Sequence, residues 1–133
     1  MIVYSEIKQD FMIDVSTGNI SDKILDSLKK TLGHSVNQSQ INAFQNSMMF
    51  MHHVLQDSQI PEDSRVAIEY KIPQTAKRVD FILTGKSIDD KSSAIIIELK
   101  QWSKAVMTDM DGVVSTFVGG NTRDVSHPSY QAW

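Results

Sequence analysis

Asp80 stands in the apolar segment KRVDFILTG (77–85), and Glu98 and Lys100 close the run AIIIELK (94–100). Carboxylates bind hard divalent cations through oxygen, and Mg2+ needs only one or two of them beside water and phosphate oxygens. Asp80 and Glu98 would supply these, with the Leu99 backbone carbonyl as a third ligand and Mn2+ as the alternative metal. A cation so held polarises a phosphate and acidifies its bound water. Lys100, beside Glu98, would orient that water and offset charge growing in the transition state. This is the chemistry of phosphodiester hydrolysis. A plainer reading fits the same residues: an exposed Glu98–Lys100 pair, worth well under ~1 kcal/mol, on a charged sheet.

The elements that must carry these residues can be read from periodicity. KRVDFILTG alternates, with Val79, Phe81 and Leu83 on one face and Arg78, Asp80 and Ile82 on the other. AIIIELK is nearly continuous in apolar residues and reads as an interior strand. If the two form a hairpin with Thr84 opposite Ala94, Asp80 falls opposite Glu98, on one face with Cβ atoms ~5 Å apart. Two bare carboxylates there repel and call for a cation. RVAIEYKI (65–72) is the strand before them, closed by Pro73.

Helices precede the sheet. Ser5 caps an expected helix over SEIKQDFMIDV, with Ile7, Phe11 and Met12 at helical spacing. A second helix carries Ile20, Ile24, Leu25, Leu28 and Leu32 on one face, with Gly33 as its stop. A third runs from Ser39 to Leu55 with Ile41, Phe44, Met48, Met51 and Leu55 as its stripe. Its adjacent His52 and His53 point ~100° apart, which suits helix-end histidines better than one metal site. After the central segments, VVSTFV (113–118) is a further strand, 123–125 a short return strand, and His127-Pro128 a helix start. The chain ends one turn into that helix, which suggests a fragment.

Composition bounds the rest. A chain of 133 residues with 41% hydrophobic content fits one globular domain over 1–133. The absence of cysteine excludes disulfides and thiolate metal sites. There is no basic-then-apolar leader and no run of ~20 apolar residues, so a cytoplasmic protein with no membrane partner is expected. Net charge is −3, yet residues 65–104 hold 8 basic against 5 acidic side chains. That local excess can attract phosphates, or can simply discourage edge-to-edge aggregation.

The D-(x)n-E-x-K arrangement resembles the PD-(D/E)XK nuclease superfamily. IPEDSRVAIEYKIP, KRVDFILTG, IIIELKQW and TFVGGNTRDVSHPSYQAW, in that order, resemble the nuclease-like N-terminal region of bacterial nuclease–helicase proteins, in which a Schlafen-like superfamily 1 helicase follows. The resemblance implies a restriction-endonuclease-like core of the α/β (α+β mixed sheet) kind, truncated in its last core helix. It also implies Mg2+ (or Mn2+)-dependent cleavage of DNA, less readily RNA, in a chain continuing into a helicase domain. Asp80 and Glu98 take the metal-binding positions and Lys100 the catalytic lysine. Gln131 resembles the first residue of the Q-x-x-x-Y element of RecB-like nucleases. Beside the missing end of the last core helix and the strand after it, one departure stands out. The helix before the sheet offers Gln38, Gln40, Gln45 and Asn46 where many members carry a glutamate, leaving Glu69 as a substitute or as a solvent-facing residue. Arg78, Lys77 and Lys104 fit phosphate contacts or surface charge; His127 fits the site or a helix start; Trp102 fits base stacking or packing. The alternative function is an inactive nuclease-fold module that binds nucleic acid or mediates assembly, with oligomerisation through the truncated last helix.

Overall fold

A computed structural model describes residues 2–32, 38–72 and 78–131. The fold is α+β, and every described strand ladder is antiparallel. The chain forms two compact units, one up to Ile97 and one from Glu98 onward. Among the described residues no helix is long and apolar enough to cross a membrane. Lys77, Gly33 and Pro73 lie outside the described residues.

The first unit starts with strand β1 (Tyr4–Ile7), where local pattern favours a helix from Ser5. Tyr4 pairs with Ile68 and Ile7 with Arg65 of strand β2 (Arg65–Lys71). Helix α1 (Lys8–Ser16) therefore starts later, with Ile7 extended at φ −73°, ψ 159° and no side-chain cap. Four backbone pairs with a distant strand outweigh the weak preference of a single helical turn. Helices α2 (Asn19–Leu32) and α3 (Gln38–Leu55) follow their sequence stripes: Ile20, Ile24, Met48, Met51 and Leu55 are buried.

Strand β3 (Arg78–Lys86) and strand β4 (Ser92–Ile97) complete a four-stranded sheet in the order β1-β2-β3-β4. The two faces of this sheet differ. Tyr4, Val66, Ile68, Val79 and Phe81 are buried on the helix side, where the Phe81 ring meets Phe11 of α1 edge-on at 5.6 Å. On the opposite face Arg65, Ala67, Lys71, Arg78, Asp80, Ile82, Thr84, Ala94 and Ile96 are half-buried or exposed, none of them buried. Period-two alternation sends successive side chains to opposite faces, so one side forms the core and the other stays open.

β4 is an edge strand rather than an interior one. Ile95 is 56% and Ile96 50% exposed, one on each face. Its apolar run mimics a strand buried on both sides, but the described helices lie mainly against β1 and β2. The strand also stops at Ile97 instead of running to Lys100.

Two buried polar groups tie the helices down. The Lys8 ammonium, almost fully buried, donates to the Ile60 carbonyl at 2.7 Å, to the Asp57 carbonyl at 3.3 Å and to Glu62 Oε1 at 2.9 Å. The Tyr4 hydroxyl donates to Asp14 Oδ2 at 2.7 Å, and the Lys23 ammonium donates to the same oxygen at 2.7 Å. Burial, reinforced by the Asp14 carboxylate, pushes the Tyr4 phenol well above its ordinary value near 10. Above pH ~10 the unfolded chain thus sheds a proton that the folded chain keeps, so stability falls as pH rises, by up to ~1.4 kcal/mol per pH unit. We expect Tyr4→Phe to flatten this alkaline slope in urea midpoints measured between pH 9 and 11. An unchanged slope would remove Tyr4 as its source.

The second unit is a three-stranded sheet of β5 (Ala105–Met107), β6 (Val113–Val118) and β7 (Asn121–Ser126), followed by the short helix α4 (Pro128–Gln131). β6 and the return strand match the sequence pattern; β5 lies in a stretch that reads as a Met- and Asp-rich loop. Val114 and Thr116 are buried, and Thr116 Oγ1 donates to the Lys104 carbonyl at 2.7 Å. Gly112 adopts φ +69° under the Tyr130 ring, where a Cβ would come within 2.8 Å of the ring. The Tyr130 hydroxyl donates to Asp111 Oδ2 at 2.8 Å, which holds the ring there.

Candidate active site

The β3–β4 hairpin has the register its sequence suggests. Thr84 faces Ala94, Ile82 faces Ile96 and Phe81 faces Ile97, where the ladder ends. Asp80 immediately precedes Phe81, and Glu98 immediately follows Ile97. One more step of regular pairing would oppose two carboxylates, an unfavourable cross-strand pair. The turn that fixes this register is closed by the Ser87 amide donating to the Lys91 carbonyl at 2.8 Å, with Asp90 at φ +58°. A short acidic side chain tolerates that left-handed conformation better than most.

On the other side of β3, Ile68 faces Phe81 and Tyr70 faces Val79, so the residue across from Asp80 is Glu69. Glu69 has φ +52°, a left-handed backbone in mid-strand. Such a residue costs ~1–3 kcal/mol and persists only where its surroundings hold it. Its carboxylate accepts a hydrogen bond from Arg78 Nη1 at 3.3 Å, and Arg78 in turn faces Lys71. One end of the open face therefore gathers two acids, Glu69 and Asp80, and two bases, Lys71 and Arg78. Glu69 is half-buried rather than fully solvent-facing, and its carboxylate is engaged by Arg78. Sequence reasoning passed over Lys71, although its alternation with Glu69 along β2 already put both on that face.

If function, rather than packing, keeps a glutamate in this backbone, Glu69→Gly should raise stability. Relief of strain is worth about 1 kcal/mol or more, against an exposed ion pair worth less. A urea midpoint that falls instead would show that Glu69 is a net stabilising residue.

In the second unit Glu98, Leu99 and Lys100 lie outside any strand. The simple alternation that would set Glu98 and Lys100 on one face therefore does not apply beyond Ile97. The two meet all the same: Lys100 Nζ lies 2.6 Å from Glu98 Oε1, with side chains 28% and 13% exposed. Glu98 is the more withdrawn partner and Lys100 is an exposed residue, as in the plainer reading of this pair. One carboxylate oxygen is taken by the ammonium, and Oε2 is the other.

His127 is part of the start of α4. Its Nδ1 accepts the Ser129 amide at 3.2 Å and lies 2.7 Å from Ser129 Oγ, while its own amide donates to the Gly112 carbonyl. Gln131 ends that helix, and its side chain lies outside the described residues. Trp102 is half-buried and the Lys104 side chain exposed. Among the described residues no group of three or more His, Asp or Glu side chains is gathered tightly enough to hold a metal ion. Two acids and a backbone carbonyl fall below that number, and as an all-oxygen set they suit Mg2+ or Mn2+ rather than a softer metal.

No family model matches the chain, and no curated protein or solved structure matches it. The functional reading rests on the residues themselves.

Proposed function

We propose that this chain is a metal-dependent nuclease domain that hydrolyses phosphodiester bonds of DNA, or of RNA, and works in a chain with a helicase. Asp80 and Glu98 would hold the metal with the Leu99 carbonyl, and Glu69 is an accessory acid on the face of Asp80. A bound Mg2+ or Mn2+ would supply an acidified water and charge neutralisation on phosphate. Lys100, held 2.6 Å from Glu98, would orient the attacking water and offset charge growing in the transition state. The observation that carries this reading is the hairpin register, in which Asp80 and Glu98 are the next residues past the terminal Phe81–Ile97 pair. The order of the segments resembling nuclease–helicase proteins supports it, and a restriction-endonuclease-like core is part of the proposal. The direct experiment incubates labelled single- and double-stranded oligonucleotides with the protein and Mg2+ or Mn2+, with EDTA as control. Cleavage that is indifferent to EDTA would count against the metal.

A second reading keeps the fold and discards the cutting. Glu69 and Glu98 are each engaged by a cation of the chain, and α3 carries no acid in Gln38–Leu55. A module of that kind binds nucleic acid with steep salt dependence and cuts nothing under any metal.

A further inference from the structure

At the far end of the open face from Glu69 and Asp80, the first unit has a shallow groove of about 530 Å³. It is lined by Arg65, Thr84, Lys86, Ser92 and Ser93, with Asp63 as the one acid. The sheet register explains the grouping: Arg65 faces Thr84, and Lys86 faces Ser92. Two cations and the hydroxyls of Thr84 and Ser92 thus share one face across β2, β3 and β4. Arg65 is exposed and pairs with no carboxylate among the described residues. Lys86 is paired with Asp90 at 2.7 Å, but both side chains are mostly in water, at 65% and 80% exposure. Such a pair is worth little and exchanges readily for another anion. Nothing in the periodicity of the sequence singled out Arg65 or Lys86, because they meet only through the register.

We infer that this groove binds a backbone phosphate of the nucleic acid, away from the proposed catalytic end. A guanidinium fork and hydroxyl donors are the groups that recognise phosphate oxygens. Thr84 lies roughly 13 Å along β3 from Asp80 at ~3.3 Å per residue, about four steps of a strand rising 3.4 Å each. The groove would hold the polymer in register on the open face while the other end engages the scissile bond. This inference rests on the nucleic-acid substrate proposed above, but it concerns binding alone.

The test measures binding of a fluorescent 20-nucleotide single strand to the full chain carrying Asp80→Ala, so cleavage plays no part. Arg65→Ala with Lys86→Ala should weaken binding about tenfold at low salt and reduce the slope of log K against log salt by roughly 1.4, the loss of two single-strand phosphate contacts. Asp63→Asn should tighten binding, and Lys29→Ala with Lys30→Ala on α2 should leave it unchanged. An unaltered Kd and slope in the Arg65/Lys86 variant, or weaker binding by Asp63→Asn, overturns the proposal. Inorganic phosphate forms the second arm: if it binds in an Arg65-dependent way while the oligonucleotide does not, the groove is a small-anion site and the polymer assignment fails. Intact groove-dependent binding by a wild-type protein that never cuts overturns the nuclease reading and leaves the groove standing.

Discussion

Asp80→Ala and Lys100→Ala should each reduce metal-dependent cleavage by more than about a hundredfold, while oligonucleotide binding changes by only a few fold. Removing a group that stabilises charge only as it develops costs ~10²–10³ in rate, and losing an oxygen ligand to the metal costs at least as much. The two substitutions act on one assembly, so the double variant should be little worse than either single one. Lys100→Arg should not rescue, because a planar guanidinium does not replace a compact ammonium seated on a single carboxylate oxygen. Glu69→Gln sorts the accessory acid: a loss approaching that of Asp80→Ala makes Glu69 a ligand, and near-normal cleavage leaves it as the partner of Arg78. Thermal unfolding must accompany each rate, since a drop in Tm of many degrees would account for the loss without chemistry. Cleavage that survives both Asp80→Ala and Lys100→Ala would end the assignment of the site.

The largest stability loss is expected at the residue next to Asp80. Phe81 is fully buried and packs edge-on against Phe11, itself in edge contact with Tyr4 at 6.3 Å. Phe81→Ala should cost ~3–5 kcal/mol, the usual range for a buried aromatic truncated to alanine. A domain of this size holds only ~5–15 kcal/mol in all, so the variant should lose a large share of its stability. Pairing it with Phe11→Ala in a double-mutant cycle should return a coupling of ~0.5–1.5 kcal/mol for the ring contact. A urea denaturation giving less than ~1 kcal/mol for Phe81→Ala would mean that the helix side of the sheet is not the core. The contrast between neighbours is informative. Phe81→Ala should lower cleavage through lost stability, whereas Asp80→Ala should lower it with the fold intact, because alternate residues of β3 face the core and the open side.

Much of this was legible in the amino-acid sequence. The apolar stripes of α2 and α3 and the alternation of β2 and β3 follow from patterns of period 3.6 or 2 that a single segment carries within itself. The same alternation put Asp80 and Arg78 on the face opposite Phe81. The candidate acids and lysine were likewise visible, as residue types at the ends of apolar runs.

What tertiary structure decided are the features that need two distant segments at once. Tyr4–Ile7 carries a helical pattern and became a strand because residues 65–68 pair with it. Ser92–Ile97 has the composition of an interior strand and became an edge, because among the described residues no further strand pairs with it in the sheet. The left-handed Glu69 and its reach to Arg78 are invisible to any local rule, since they depend on how β2 pairs with β3. The groove of Arg65 and Lys86 exists only because antiparallel register brings the start of β2 to the end of β3. Periodicity is a property of one segment, and it fixed the faces. Register and coverage are properties of pairs of segments, and they decided which of those faces is open and which charges meet on it.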